Sequence, residues 1–370
     1  MARALAGRDP VGVTPATAPA RLDSLLTAAR NAWKLSWLGE GVEAPSPRPA
    51  EIVYDEPHAQ LRRFTSVAEP VGKPVLLVPP LAVPASCWDL RPGQSLAAHL
   101  ADGDHGQGRA TYVIDYGDIT FADRRMGFED WIERIIPTAV RRISAEHAGA
   151  EVHLVAWSLG GTISLLTAAH DPDLPIASIT AVGTPIDYRL NLSSQPLRWL
   201  DNLLGTSLMT APTAALGGVP AGFVQVAFRA TAPVRELTKP WFLLRNLHNT
   251  EALARTEAID RFMDAMPGYP GRLYHQMHTR LIARHELADG VVHLSRKLTV
   301  DLARIAAPIV LIGSATDAIA SAAAIEAGVR SLPDARYVAA DGLSHLGLIA
   351  GPTARDASWP AIEAHLLEND

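Results

Sequence analysis

Six short runs of nearly unbroken hydrophobic residues punctuate the chain: VLLVPP at 75–80, ATYVIDYG at 110–117, VHLVAW at 152–157, SITAVGTP at 178–185, PIVLIGS at 308–314 and ARYVAADG at 335–342. Runs this apolar fit strands covered on both faces, as a parallel sheet requires. Between them apolar residues recur at three- and four-residue steps, which predicts helices over 95–101, 128–147, 160–170, 320–331 and 358–367. A weaker alternation over 51–64, broken at Glu56-Pro57, predicts a hairpin. Strand and helix alternate, so the expected class is α/β with a mostly parallel, doubly wound sheet. The alternation stops between about Arg189 and Lys297, where helical patterns at 235–263 and 274–287 follow one another. An insertion before the last two strands is expected to cover the carboxyl edge of the sheet as a largely helical cap. The expected organisation is a tail, helix and linker over 1–50, a core from 51–188 and 298–370, and a cap over 189–297.

Ahead of the core, Leu22, Leu25, Leu26, Ala29 and Trp33 form a stripe at helical spacing. It is expected to dock on the protein's own core. The alternative is that the stripe, with Trp33 and Trp37, rests on a lipid surface.

Of 370 residues, 48% are hydrophobic and 19% charged, which supplies a large core and excludes global disorder. A net charge of −6 speaks against a partner with a polyanionic backbone. Cys87, the sole cysteine, excludes an internal disulfide and cysteine-cluster metal sites. The first twenty residues lack the apolar stretch of a secretion signal, which points to the cytoplasm. The longest uncharged run, 202–228, is interrupted by Pro212, Pro220 and four glycines. It reads as packed lid or loop, or as an apolar flap meeting lipid droplets or polymer granules, and not as a membrane span.

The chemistry-bearing motif is Ala156-Trp157-Ser158-Leu159-Gly160-Gly161, between a strand and a helix. A small residue two before and two after a serine at such a junction is the signature of a nucleophile elbow. The turn lifts the hydroxyl out of the sheet and aims a helix N-terminus at it. A serine hydroxyl needs a base. Asp317 and His345 each fall just past a later strand, in the order Ser, acid, His. Asp341 is the runner-up acid. The Leu159 N–H is one expected oxyanion donor. The loop after Val78-Pro79-Pro80 supplies the other from Leu81, Ala82 or Val83, with Leu81 preferred as the first residue able to donate.

Further motifs resemble the polyhydroxyalkanoate synthases, a branch of the α/β-hydrolase fold. They are Val78-Pro79-Pro80, Asp89-Leu90-Arg91-Pro92-Gly93-Gln94-Ser95-Leu96, Tyr112-Val113-Ile114-Asp115-Tyr116-Gly117, Gly183-Thr184-Pro185-Ile186-Asp187-Tyr188, Val300-Asp301-Leu302, Ala307-Pro308 and Asp317-Ala318-Ile319. The resemblance spans roughly residues 50 to 355. It implies acyl chemistry on fatty or hydroxyacyl groups from esters or coenzyme A thioesters. No cofactor is implied beyond coenzyme A as part of a donor. Ser158 stands where that family has its nucleophilic cysteine, Ser344 replaces the glycine before the histidine, and Ala318 replaces a histidine after the acid. The favoured reading is therefore a serine esterase, lipase or acyltransferase. The alternatives are a synthase proper using hydroxyacyl-coenzyme A and a non-catalytic lipid- or granule-associated relative.

Ala82, Trp157, Trp241 and Phe242 are the candidate substrate-lining residues, the last two equally readable as cap core. Cys87 reads as a small apolar filler. His275, His278 and His285 share a helical face, but no carboxylate or thiol joins them at ligand spacing, so surface histidines are expected and no metal. The partner is a small-molecule or lipid acyl substrate and not nucleic acid. The oligomeric state is open, with a dimer allowed.

Overall fold

The computed structural model describes residues 18–35, 41–66, 69–103, 108–191, 194–195, 213 and 216–370. The hairpin and the six apolar runs become one eight-stranded sheet: β1 (Ala50–Tyr54), β2 (Gln60–Phe64), β3 (Val75–Val78), β4 (Thr111–Asp115), β5 (Val152–Trp157), β6 (Ile176–Val182), β7 (Ile309–Gly313) and β8 (Ala335–Ala339). Their order is β1-β2-β4-β3-β5-β6-β7-β8. β2 pairs antiparallel with β1 and β4, and every later pairing is parallel. The central strands β3, β5, β6 and β7 are buried throughout because successive side chains feed opposite faces, both of them covered. Leu76, Val78, Leu154 and Ala156 join one core cluster, and Val75, Leu77, Val155 and Trp157 join the other. β8 departs from the expected burial on both faces. It ends the sheet and is only partly buried.

Helices α2 (Leu96–Asp102), α3 (Ile136–Glu146) and α4 (Leu159–His170) follow β3, β4 and β5, and α8 (Trp359–Glu368) comes after β8. In the region without long strands lie α5 (Ala221–Ala230), α6 (Pro233–Arg245) and α7 (Thr250–Asp264). The helical pattern expected over 235–263 forms two helices, α6 and α7. Asn246 Nδ2 donates to the Phe242 carbonyl at 2.8 Å, closing α6, and Asn249 Oδ1 accepts from the Ala252 N–H at 3.1 Å, opening α7. Two short antiparallel pairs also form here, Gly218–Val219 with Tyr269–Pro270 and Val291–His293 with Thr299–Asp301. Pairs this short carry no readable alternation.

The chain divides into two compact units, Met1–Ala44 with Val234–Glu257 and Pro45–Pro233 with Ala258–Asp370. The larger unit holds the sheet. In the smaller unit, α1 (Ala18–Trp33) forms where the periodicity predicts it, but with its faces reversed. Asn31 is the buried side chain, donating to the Leu247 carbonyl at 2.8 Å and to Thr250 Oγ1 at 3.0 Å. Leu25, Leu26 and Trp33 are exposed, so the expectation that the stripe docks on the core is overturned. The core of this unit is instead Val42, Leu253 and Ala254. Trp37 and residues 202–212, 214 and 215 of the 202–228 run lie outside the described residues.

Candidate active site

Ser158 sits between the last residue of β5 and the first of α4, with φ 53° and ψ −123°. A residue with a Cβ rarely adopts such a conformation, which is sustained only where neighbours over-determine it. Here the Ser158 N–H donates to the Val182 carbonyl at 2.8 Å, and the Ser158 carbonyl accepts from the Gly161 N–H at 3.0 Å and Thr184 Oγ1 at 2.9 Å. The demand for small residues is geometric. A Cβ on Gly160 would lie 2.4 Å from the Val78 carbonyl oxygen and 2.8 Å from that of Pro79, and one on Gly161 would lie 2.0 Å from Thr184 Oγ1. Ala156 is fully buried on the other side.

Asp317 and His345 come from the loops after β7 and β8, at the carboxyl edge where β5 delivers Ser158. His345 Nδ1 is 2.7 Å from Asp317 Oδ2, and both side chains are almost fully buried. The other carboxylate oxygen, Oδ1, accepts from the N–H groups of Ile319 at 2.8 Å and Ala320 at 3.0 Å. Asp317 is therefore held from one side and presented to the imidazole from the other. Asp341, the runner-up acid, accepts from the Ala315 N–H at 3.2 Å and so braces the acid's own loop.

The imidazole lies between residues that flank the serine. Its ring centroid is 5.0 Å from that of Trp157, and a Cβ on Gly183 would stand 3.1 Å from His345 Cε1. Gly183 follows Val182, the acceptor of the Ser158 N–H. Among the described residues no hydrogen bond joins the Ser158 hydroxyl to His345. Free enzymes commonly hold this contact loosely until substrate arrives.

Leu159 opens α4, so its N–H is among those a helix leaves unpaired. The Val78 and Pro79 carbonyls that abut Gly160 fix the start of the loop carrying Leu81 beside the elbow. Among the described residues the Leu81 N–H has no acceptor. Ala82 is buried with φ 59°, so the loop reverses sharply there.

The other candidates separate. Trp157 is buried, and its indole backs the imidazole and faces Phe262. That placement suits positioning rather than substrate lining. Trp241 and Phe242 belong to the smaller unit and are exposed, with the Arg245 guanidinium 4.9 Å over the Trp241 ring. Cys87 is fully buried, and burial pushes its thiol well above the ordinary range, which suits a filler and not a thiolate. His278 corrects an expectation. It is buried, stacked on Tyr274 at 6.2 Å, rather than on the surface. No group of three metal-ligating side chains occurs among the described residues.

Three residues were missed. Ser314 Oγ accepts from the Leu343 N–H at 3.2 Å, and Thr316 Oγ1 donates to the Leu343 carbonyl at 2.9 Å, so these two hydroxyls stitch the acid loop to the histidine loop. Gly183, with φ +60°, leaves room for the imidazole. Only Gly183 carried a signal, as the glycine ending an apolar run.

Residues 75–355 match the alpha/beta hydrolase family. The chain is 26% identical over 324 residues to the poly(3-hydroxyalkanoate) polymerase subunit PhaC of Haloferax mediterranei, covering 86% of this chain and 64% of that protein. It thus spans less than two-thirds of that relative's length. It is 24% identical over 330 residues to the subunit of the same name from Allochromatium vinosum, covering 86% and 88%. Among solved structures it is similar to the esterase RhEst1 from Rhodococcus sp. ECU1013, with a TM-score of 0.42 and 15% identity over 88% of this chain and all of that one. An alpha/beta hydrolase fold protein from Nakamurella multipartita gives a TM-score of 0.43 and 14% identity over 88% of this chain and 99% of that one.

Proposed function

The chain belongs to the alpha/beta hydrolase family, and from that premise we propose that it is an acyl-transfer enzyme working through an acyl-Ser158 intermediate. The observation that carries the reading is the buried Asp317–His345 pair at 2.7 Å, delivered to the sheet edge that holds the strained Ser158 elbow. His345 takes the Ser158 proton on Nε2 as Oγ attacks the acyl carbonyl carbon. Asp317 accepts the Nδ1–H and stabilises the imidazolium. The N–H groups of Leu159 and Leu81 receive the carbonyl oxygen as it gains charge. Collapse expels an alcohol or thiol, protonated by His345. Water or an alcohol then attacks the acyl-serine, gives its proton to His345 and releases Ser158.

The substrate class we propose is fatty or hydroxyacyl esters or coenzyme A thioesters. The polymerase names of the two relatives favour a second reading, chain growth on hydroxyacyl-coenzyme A. The serine weighs against it, because an oxygen ester is less activated toward an incoming alcohol than the thioester a cysteine would form. Incubation with a fatty ester and with an acyl-coenzyme A, following free acid, acylated alcohol and polymer, tests both. We expect acid or a single transfer product, lost in Ser158→Ala. Sustained polymer growth would establish the second reading, and no turnover of either donor would remove both.

A further inference from the structure

The smaller unit shows its apolar residues to solvent. On α1, Leu25, Leu26 and Trp33 are 68%, 59% and 54% exposed, while Asn31 of the same helix is buried. On α6, Leu237, Trp241 and Leu244 are 83%, 58% and 62% exposed. Their spacing of four and three residues places them on one helical face, and no residue of α6 is buried. Two helices of one unit that both bury little and expose leucine and tryptophan mark a surface meant to be covered.

Charge indicates what covers it. Past residue 22, α1 and the adjoining Lys34 carry basic Arg30 and Lys34 against the single acid Asp23, and α6 carries Lys239 and Arg245 beside an Arg235–Glu236 ion pair at 2.6 Å. Both are basic, in a chain of net charge −6. A second copy would set one basic face against another, which disfavours self-association. An anionic headgroup layer receives the basic side chains while the leucines enter the acyl boundary and the tryptophans sit at headgroup level. No described helix is long and apolar enough to cross a membrane, so the helices would lie in the interface plane.

We propose that the smaller unit docks on an anionic phospholipid surface through α1 and α6. The proposal is independent of the acyl-serine reading, because docking needs no turnover. Its test is flotation of the full chain with phosphatidylcholine vesicles with and without phosphatidylglycerol. The wild type and Ser158→Ala float equally with the anionic vesicles. Omitting phosphatidylglycerol or raising the salt weakens partition by about tenfold. The double variants Leu25→Ser/Leu26→Ser and Leu237→Ser/Leu244→Ser each weaken it by about tenfold or more while melting like the wild type, since the leucines removed are exposed. Flotation unchanged in both double variants overturns the proposal, as does flotation indifferent to phosphatidylglycerol. So does a vesicle-free dimer that the same substitutions abolish, which would make the face a contact between copies.

Discussion

At the scale of single residues, the site depends on small groups placed where nothing larger fits. Gly160→Ala would drive a methyl to 2.4 Å from the Val78 carbonyl. We expect a loss of about 1–3 kcal/mol in stability, read by denaturant unfolding, because backbone cannot yield as a side chain does. Asp317→Asn removes the acceptor that fixes the imidazole tautomer, and kcat should fall on the order of 10⁴-fold with the fold intact. Thr316→Val cuts the 2.9 Å bond to the Leu343 carbonyl and frees the histidine loop. Its expected signature in steady-state kinetics is a roughly tenfold lower kcat with KM unchanged, as for a residue that positions another. The Ser158 turn and the Asp317–His345 pairing were legible because each residue falls at or just past the end of an apolar run. The stitching hydroxyls of Ser314 and Thr316 were not, since a loop serine or threonine looks the same whether it bridges two loops or faces water.

At the scale of elements, the strands were readable because central parallel strands must be apolar on both faces. β8 was misjudged because its sequence carries no mark of its place at the sheet edge. The reversed α1 teaches the same lesson. Its periodicity predicts a helix, but which face turns inward is decided by Leu247 and Thr250, more than 200 residues away in sequence. Ser95 Oγ accepts from the Ala98 N–H at 2.9 Å at the start of α2. Ser95→Ala should cost about 1 kcal/mol by thermal or chemical unfolding.

At the scale of the molecule, the ends of the larger unit's core are tied by a charged cluster. The Asp370 carboxylate accepts from Arg109 through both oxygens, at 2.7 and 2.5 Å, and from the Lys73 N–H at 3.0 Å. Burial raises the Asp370 carboxyl, but the Arg109 guanidinium and Lys73 N–H outweigh it and hold it well below the usual range. His153, beside it at 3.4 Å, is pushed down to about 4, mainly by burial. Between an ordinary histidine pKa of about 6.5 and 4 the unfolded chain therefore binds a proton that the native state refuses. Stability falls as pH drops through this window, on the order of 3 kcal/mol from His153, and falls further as Asp370 loses its charge. Calorimetry should show the melting temperature declining from pH 6.5 downward, and a flat profile to pH 4 would contradict this. Mass spectrometry of the protein exposed to a fluorophosphonate tests the reactivity of Ser158 most directly. We expect one adduct per chain, mapped to the peptide containing Ser158, absent in Ser158→Ala and strongly slowed in His345→Ala. Labelling at another residue, or none in the folded wild type, would contradict it.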